Sequence, residues 1–214
     1  MATATENQKP KTRAEQGTRD MIVRTVTIKG LTPIMFDRYP GDNDTQLTPS
    51  QKLYYGEDGH SLVLPSTNLM SFLSAKNTDS APKRLLDSRK YKKFTEACAS
   101  FVMIQADQEH YSEDLPILRN GEPLVFGGFN DEEIDPATDM FIKRDVARLE
   151  KGIPNPKVRP VLPMPWEIRF RLMLFPNDQI QEQQLKNIFE KGGIAVGIGT
   201  WRGRFGKFAI DQWK

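Results

Sequence analysis

The chain has 214 residues, enough for one domain or for one domain carrying an insertion. Its formal net charge is only +2, so any grip on a polyanion has to come from local clustering of charge. A lone cysteine, Cys98, excludes an internal disulfide and a cysteine-built zinc site, and two histidines, His60 and His110, leave little for metal or histidine chemistry. No apolar run is long enough for a membrane span and no signal-peptide core opens the chain, so a cytoplasmic protein without membrane partners is expected. No metal and no cofactor is expected either.

Residues 1–20, MATATENQKPKTRAEQGTRD, carry almost nothing to bury and predict a disordered N-terminal arm. Its Lys9, Lys11, Arg13 and Arg19 suit a solubilising tail better than an auxiliary polyanion contact. The structured chain, 21–214, reads as a single domain. In MIVRTVTIKGLTPIMF, residues Ile22, Arg24, Val26 and Ile28 share one face and Val23, Thr25, Thr27 and Lys29 the other, which predicts a strand. KLYYGEDGHSLVLP predicts a hairpin: a strand through Tyr54 and Tyr55, a turn at 56–59, then Ser61 to Leu64. His60 borders that turn and reads as solvated.

Pro65 ends the strand, Ser66 or Thr67 can cap a helix, and Leu69, Met70, Phe72 and Leu73 form its apolar stripe. KKFTEACASFVM predicts a second helix, or a helix giving way to a strand near Phe101. The run before it groups Lys83, Arg84, Arg89, Lys90, Lys92 and Lys93 with Tyr91 against Asp87 alone; a solvated face is preferred there over nucleic-acid contact.

Residues 105–165 lack long periodic segments and are read as a projecting insertion. LPILRNGEPLVFGGF suggests a hairpin turning at Asn120-Gly121, and NDEEIDPATD an acidic loop. Lys143, Arg144, Arg148, Lys151, Lys157 and Arg159 then outnumber Asp145 and Glu150. Prolines at 154, 156, 160, 163 and 165 argue against regular strands and helices over that stretch.

WEIRFRLMLF restores a strand, with Ile168, Phe170, Leu172 and Leu174 on one face and Arg169 and Arg171 on the other. NDQIQEQQLKNIFEKGG predicts a helix capped by Asn177 or Asp178 and stopped by Gly192-Gly193. A strand IAVGIG, a glycine-rich loop and a last strand KFAIDQW complete the chain. No short repeat is visible, but a strand-helix-strand unit stands at each end.

The loop supplies Gly197, Gly199, Gly203 and Gly206, with Arg202, Arg204 and Lys207 for charge and Trp201 and Phe205 for flat apolar faces. Closely spaced glycines let backbone amides approach phosphate oxygens, and aromatic faces take bases or guanidinium groups. The spacing is neither a dinucleotide fingerprint nor a P-loop. Spacing alone fits a tight turn at a sheet edge, solvated by its arginines, slightly better than a phosphate grip.

The arrangement resembles the RAMP superfamily, the RNA-binding proteins that build CRISPR effector complexes and process their guide RNAs. GIAVGIGTWRGRFGKF resembles that family's glycine-rich loop, LVLPSTNLMSFL its strand-Pro-hydroxyl-helix element, and the run to GLTPIMF its first strand; together they span 21–75 and 166–213. The loop is shorter than in many relatives and the middle region matches nothing. The resemblance implies an α+β, ferredoxin-like βαββαβ fold with 105–165 as a thumb-like insertion. It also implies a non-catalytic, largely sequence-independent grip on single-stranded guide RNA, as in the backbone subunits of such complexes. The partners would be head-to-tail copies of the chain and other ribonucleoprotein subunits.

The implied RNA contacts are Gly197, Gly199, Trp201, Arg202, Gly203, Arg204, Phe205 and Lys207 of the loop, and Ser66 and Thr67 at the helix start. Lys143, Arg144, Arg148 and Arg159 of the insertion and Arg169 and Arg171 of the strand complete the set. One alternative is a phage or mobile-element protein that binds single-stranded nucleic acid or acts as a decoy subunit. A second is a metal-independent, guide-processing endoribonuclease using His60 or His110, with Lys76 or Tyr54 as helpers.

Overall fold

A computed structural model describes residues 20–42, 44–75, 80–148 and 154–214, with 147 and 148 described by backbone alone. Residues 1–19 of the expected 1–20 arm, Lys76, Glu150 and Lys151 lie outside the described residues. β1 (Ile22–Gly30) pairs antiparallel with β10 (Glu167–Leu174) on one side and with β11 (Phe208–Trp213) on the other. β4 (Val102–Ala106) pairs antiparallel with the far edge of β10. In sheet order the four strands run β4, β10, β1, β11, which in chain order are the second, third, first and fourth. The two strand-helix-strand units thus interleave their strands, and each unit's own pair runs parallel. This is the ferredoxin-like α+β core.

The helices explain the crossovers. α1 (Ser66–Ser74), α2 (Ala81–Leu85) and α3 (Ser88–Phe101) fill the first one, and α4 (Glu182–Ala195) fills the second. α3 passes into β4 without a loop, at Phe101 and Val102. One face of the sheet supplies the core. Val26, Ile28, Ile104, Ile168, Phe170, Leu172 and Leu174 pack with Leu69, Phe72, Leu73, Phe94, Leu185 and Phe189, all buried. Phe72 stands between Phe189 and Phe208, with ring centroids 5.3 and 5.5 Å away.

Several expectations change. Gly192 and Gly193 do not stop α4, which continues to Ala195, so IAVGIG is no strand. A Cβ at Gly192 would stand 2.7 Å from Phe72 Cζ, and one at Gly193 the same distance from Phe208 Cε2. The pair lets α4 lie directly on α1, α2 and β11. The α4 cap is Gln181, in a reciprocal box with Gln184, and Asn177 instead closes an Asx turn onto the amides of Gln179 and Ile180. Pro65 precedes α1 with no side-chain cap, so neither Ser66 nor Thr67 caps it. The Tyr54–Leu64 hairpin forms but is short: Tyr55 bridges Leu62, the amides of Gly56 and Val63 donate to the carbonyls of Ser61 and Tyr54, and β3 (Val63–Pro65) pairs on its other side with β5 (Asp114–Arg119).

Gln105 and Ala106 belong to the core strand, and the segment expected to project is partly core: β5 pairs with β10 at Ile117 and Ile168, and Leu115, Ile117, Leu124, Met140 and Leu162 are buried in the main cluster. β5 turns at Asn120-Gly121, both left-handed, into β6 (Glu122–Pro123), as a two-residue hairpin requires. β7 (Ile134–Asp135) lies inside the acidic stretch, so that stretch is not all loop. It joins β8 (Met140–Arg148), β9 (Pro154–Leu162) and β2 (Ile34–Met35) in a second, four-stranded sheet.

The prolines do not prevent β9. Pro154, Pro156 and Pro160 face Arg148, Val146 and Ile142 across the ladder, all at positions of one parity. Backbone groups at that parity point to the outer edge: the carbonyls of Val158 and Pro160 accept from Lys52 Nζ and the Phe36 amide. A missing N–H there removes no bond to β8.

Candidate nucleic-acid interface

The glycine-rich loop joins α4 to β11 and lies along the free edge of β2. The amides of Thr200 and Gly206 donate to the carbonyls of Met35 and Pro33 at 2.9 and 2.8 Å, and Ile198 donates to Gly206 at 2.9 Å. Gly197 and Gly199 have φ near +80° and +75°, and a Cβ on them would stand 2.6 Å from the Gly206 carbonyl oxygen and 2.8 Å from that of Met35. These glycines fold the loop onto its own backbone. The amides of Gly197 through Thr200 and of Gly203 through Lys207 all donate within the protein. They therefore form no phosphate cradle, and the loop is the tight turn at a sheet edge that the spacing favoured.

What the loop offers is its tip. Gly203 has open space where a Cβ would be, and Trp201 is 38% exposed in a left-handed backbone conformation, φ +56°. That conformation costs a bulky residue about 1–3 kcal/mol, which packing of the rest of the loop has to offset. The Arg204 guanidinium lies 5.4 Å from the Trp201 ring centre and 5.9 Å from that of Phe205. Phe205 itself is buried, packed with Met35 and Val161, so it supports the tip from beneath and offers no free face. Arg202 is part-buried; its Nη1 is shielded from solvent with no hydrogen-bond partner, and burial pushes its guanidinium pKa down. Among the described residues, Arg202, Arg204 and Lys207 form no ion pair with any carboxylate.

The other predicted cations are differently placed. Arg159, its side chain 13% exposed, donates to Asp37 at 2.7 Å beside Lys52, which reaches the same carboxylate at 3.4 Å. Lys143 pairs with Asp145 at 2.8 Å, and both outer nitrogens of Arg144 meet Glu133. The Arg148 side chain lies outside the described set. Arg169 and Arg171 do project from the sheet face away from the helices, but both reach Asp107, at 2.7 and 3.4 Å. Two guanidinium groups share that one carboxylate, so the face keeps part of its positive charge.

The start of α1 lies against the loop. Ser66 is buried and its amide donates to Glu113, whereas Thr67 is exposed. Asn68 makes the contact: its Oδ1 accepts from the Gly199 amide at 3.0 Å. Sequence reasoning passed over Asn68, although an amide side chain in a first helical turn was a visible signal. It also passed over Asp107, whose role depends on a strand pairing invisible in the sequence. His60 is exposed in its turn, and His110 borders a 450 Å³ cleft with Glu57, Asp58, Glu109 and Asp114. Tyr54 is half-buried, which pushes its phenol pKa up.

No protein-family model and no curated protein matches the chain. A chain in the cryo-EM structure of the Type III-B Cmr-beta bound to cognate target RNA shares the fold, with a TM-score of 0.50 at 9% sequence identity. The match covers 91% of this chain and 60% of that one, so the present chain spans less than two-thirds of its neighbour's length.

Proposed function

We propose that this chain is a non-catalytic subunit of a CRISPR-like ribonucleoprotein that holds single-stranded RNA against the tip of its glycine-rich loop. One observation carries the reading: Arg202, Arg204 and Lys207 lack acidic partners, while the described cations of the second sheet and the open sheet face assigned to the same task are held by carboxylates. Unpaired guanidinium groups beside an exposed indole suit phosphate and base together, without reading sequence. The shared fold with a chain of an RNA-bound complex supports the same reading. The β8–β9 hairpin, buried at its Met140 and Leu162 end and more exposed toward Val146 and Pro154, would supply the contact to a neighbouring copy or another subunit. The acid-lined setting of His110 is poor for attracting a polyanion, which supports the non-catalytic reading over the nuclease.

The test is fluorescence anisotropy with a labelled 20-nucleotide RNA. R202A/R204A should weaken binding about 10- to 100-fold, the worth of one or two charge-assisted hydrogen bonds. R144A, which removes a paired cation, should change affinity less than about twofold. Equal losses in both variants would overturn the assignment. A matched DNA strand run in parallel separates RNA from general single-strand binding.

A further inference from the structure

A groove of about 770 Å³ opens on the helical side of the molecule, between α4 and the α2–α3 pair. Its floor is apolar: Leu85, Leu86, Phe94, Ile180 and Ile188. Its rim carries three lysines, Lys90 and Lys93 on α3 and Lys191 on α4, and no carboxylate lines it. Lys90 leans to Asp87 at 3.3 Å, but Lys93 and Lys191, both exposed, have no acidic partner among the described residues. From Gln184 to Lys191 the α4 wall covers two helical turns, about 10 Å.

An apolar trough with a cationic rim matches one class of partner better than others. We infer that the groove is a docking site for an acidic amphipathic helix of another protein. Its apolar side chains would enter the trough at i and i+4 spacing, and its Glu or Asp side chains would meet Lys93 and Lys191. The chain's own residues 1–19 have the wrong sign, with Lys9, Lys11, Arg13 and Arg19 against Glu6 and Glu15. A nucleic acid would find phosphate partners at the rim but no exposed aromatic platform, because Phe94 is buried in the floor.

The probe is a labelled 18-residue peptide with Leu on one helical face and Glu on its flanks. One control replaces Glu by Lys, and the other replaces Leu by Ser. The full-length protein should bind the acidic amphipathic peptide at least tenfold more tightly than either control. K93E/K191E changes only exposed side chains; it should remove that preference with an unchanged melting temperature. No preference in the wild type, or none lost in the variant, overturns the inference. So does displacement of the peptide by single-stranded RNA, or a lysine-dependent self-association seen by sedimentation. The RNA site is separately readable: R202A/R204A should leave peptide binding intact, and K93E/K191E should leave RNA binding intact.

Discussion

Gly206 shows how little room the terminal loop leaves. Its φ is +68°, and a Cβ there would collide with the Ile198 carbonyl. Gly206→Ala should therefore cost about 2–4 kcal/mol from backbone strain and overpacking together. Gly203→Ala meets no neighbouring atom and carries only the strain of its own φ, +87°. Thermal or urea denaturation should thus rank G206A well below G203A. Equal stabilities would mean that the loop does not fold back on itself as described. Both glycines look alike in the sequence, because what separates them is a carbonyl eight residues away along the chain.

Within the elements, β1, α4 and β11 are tied together at Glu182. Arg24 Nε and Nη2 donate to its carboxylate at 2.6 and 2.9 Å, and the Trp213 indole donates at 2.8 Å. Arg24 falls on the core face of β1, where the alternation placed it, and Glu182 is the partner that makes this tolerable. Partial burial pushes the Glu182 carboxyl pKa up, but the bonds from Arg24 and Trp213 outweigh it and hold the pKa below its ordinary value. A carboxylate lowered on folding stabilises at pH above its unfolded pKa, and that stabilisation is lost as pH falls through the folded value. With the pair partly open to solvent, Glu182→Gln should cost about 1 kcal/mol at pH 7. The difference from wild type should shrink in urea titrations as the pH is taken below the ordinary glutamate range; a cost independent of pH would mean the charge is not what matters.

For the whole molecule, a net charge of +2 says little about binding, since what counts is which cations the fold leaves unmatched at one place. If only Arg202, Arg204 and Lys207 meet phosphates, three contacts on a single strand give a plot of log affinity against log salt with a slope of about −2. A slope near −5 or steeper would mean that Arg169, Arg171 and the second-sheet cations open their ion pairs and join the interface. The two sheets have different duties in this picture. The ferredoxin-like sheet buries one face under four helices, while the second sheet supplies the β2 edge and the Met35 and Val161 side chains on which Phe205 of the loop rests.

Local regularities were readable from the chain alone: the alternation in β1 and β10, the apolar stripe of α4, the helix-to-strand passage at Phe101, and the Asn120-Gly121 turn. Each follows from periodicity or backbone preference over a few residues, which sequence carries directly. The family resemblance extended this to the interleaved strand order. Long-range partnerships were not readable, because they depend on which elements pack together. The prolines argued against a regular strand at β9, but their parity against β8 decided the outcome. Gly192 and Gly193 looked like a stop until their neighbours Phe72 and Phe208 appeared. Arg159, Arg169 and Arg171 looked as available as Arg202 and Arg204 until Asp37 and Asp107 were placed beside them, for a charge is free or matched only by what the fold brings within a few ångströms.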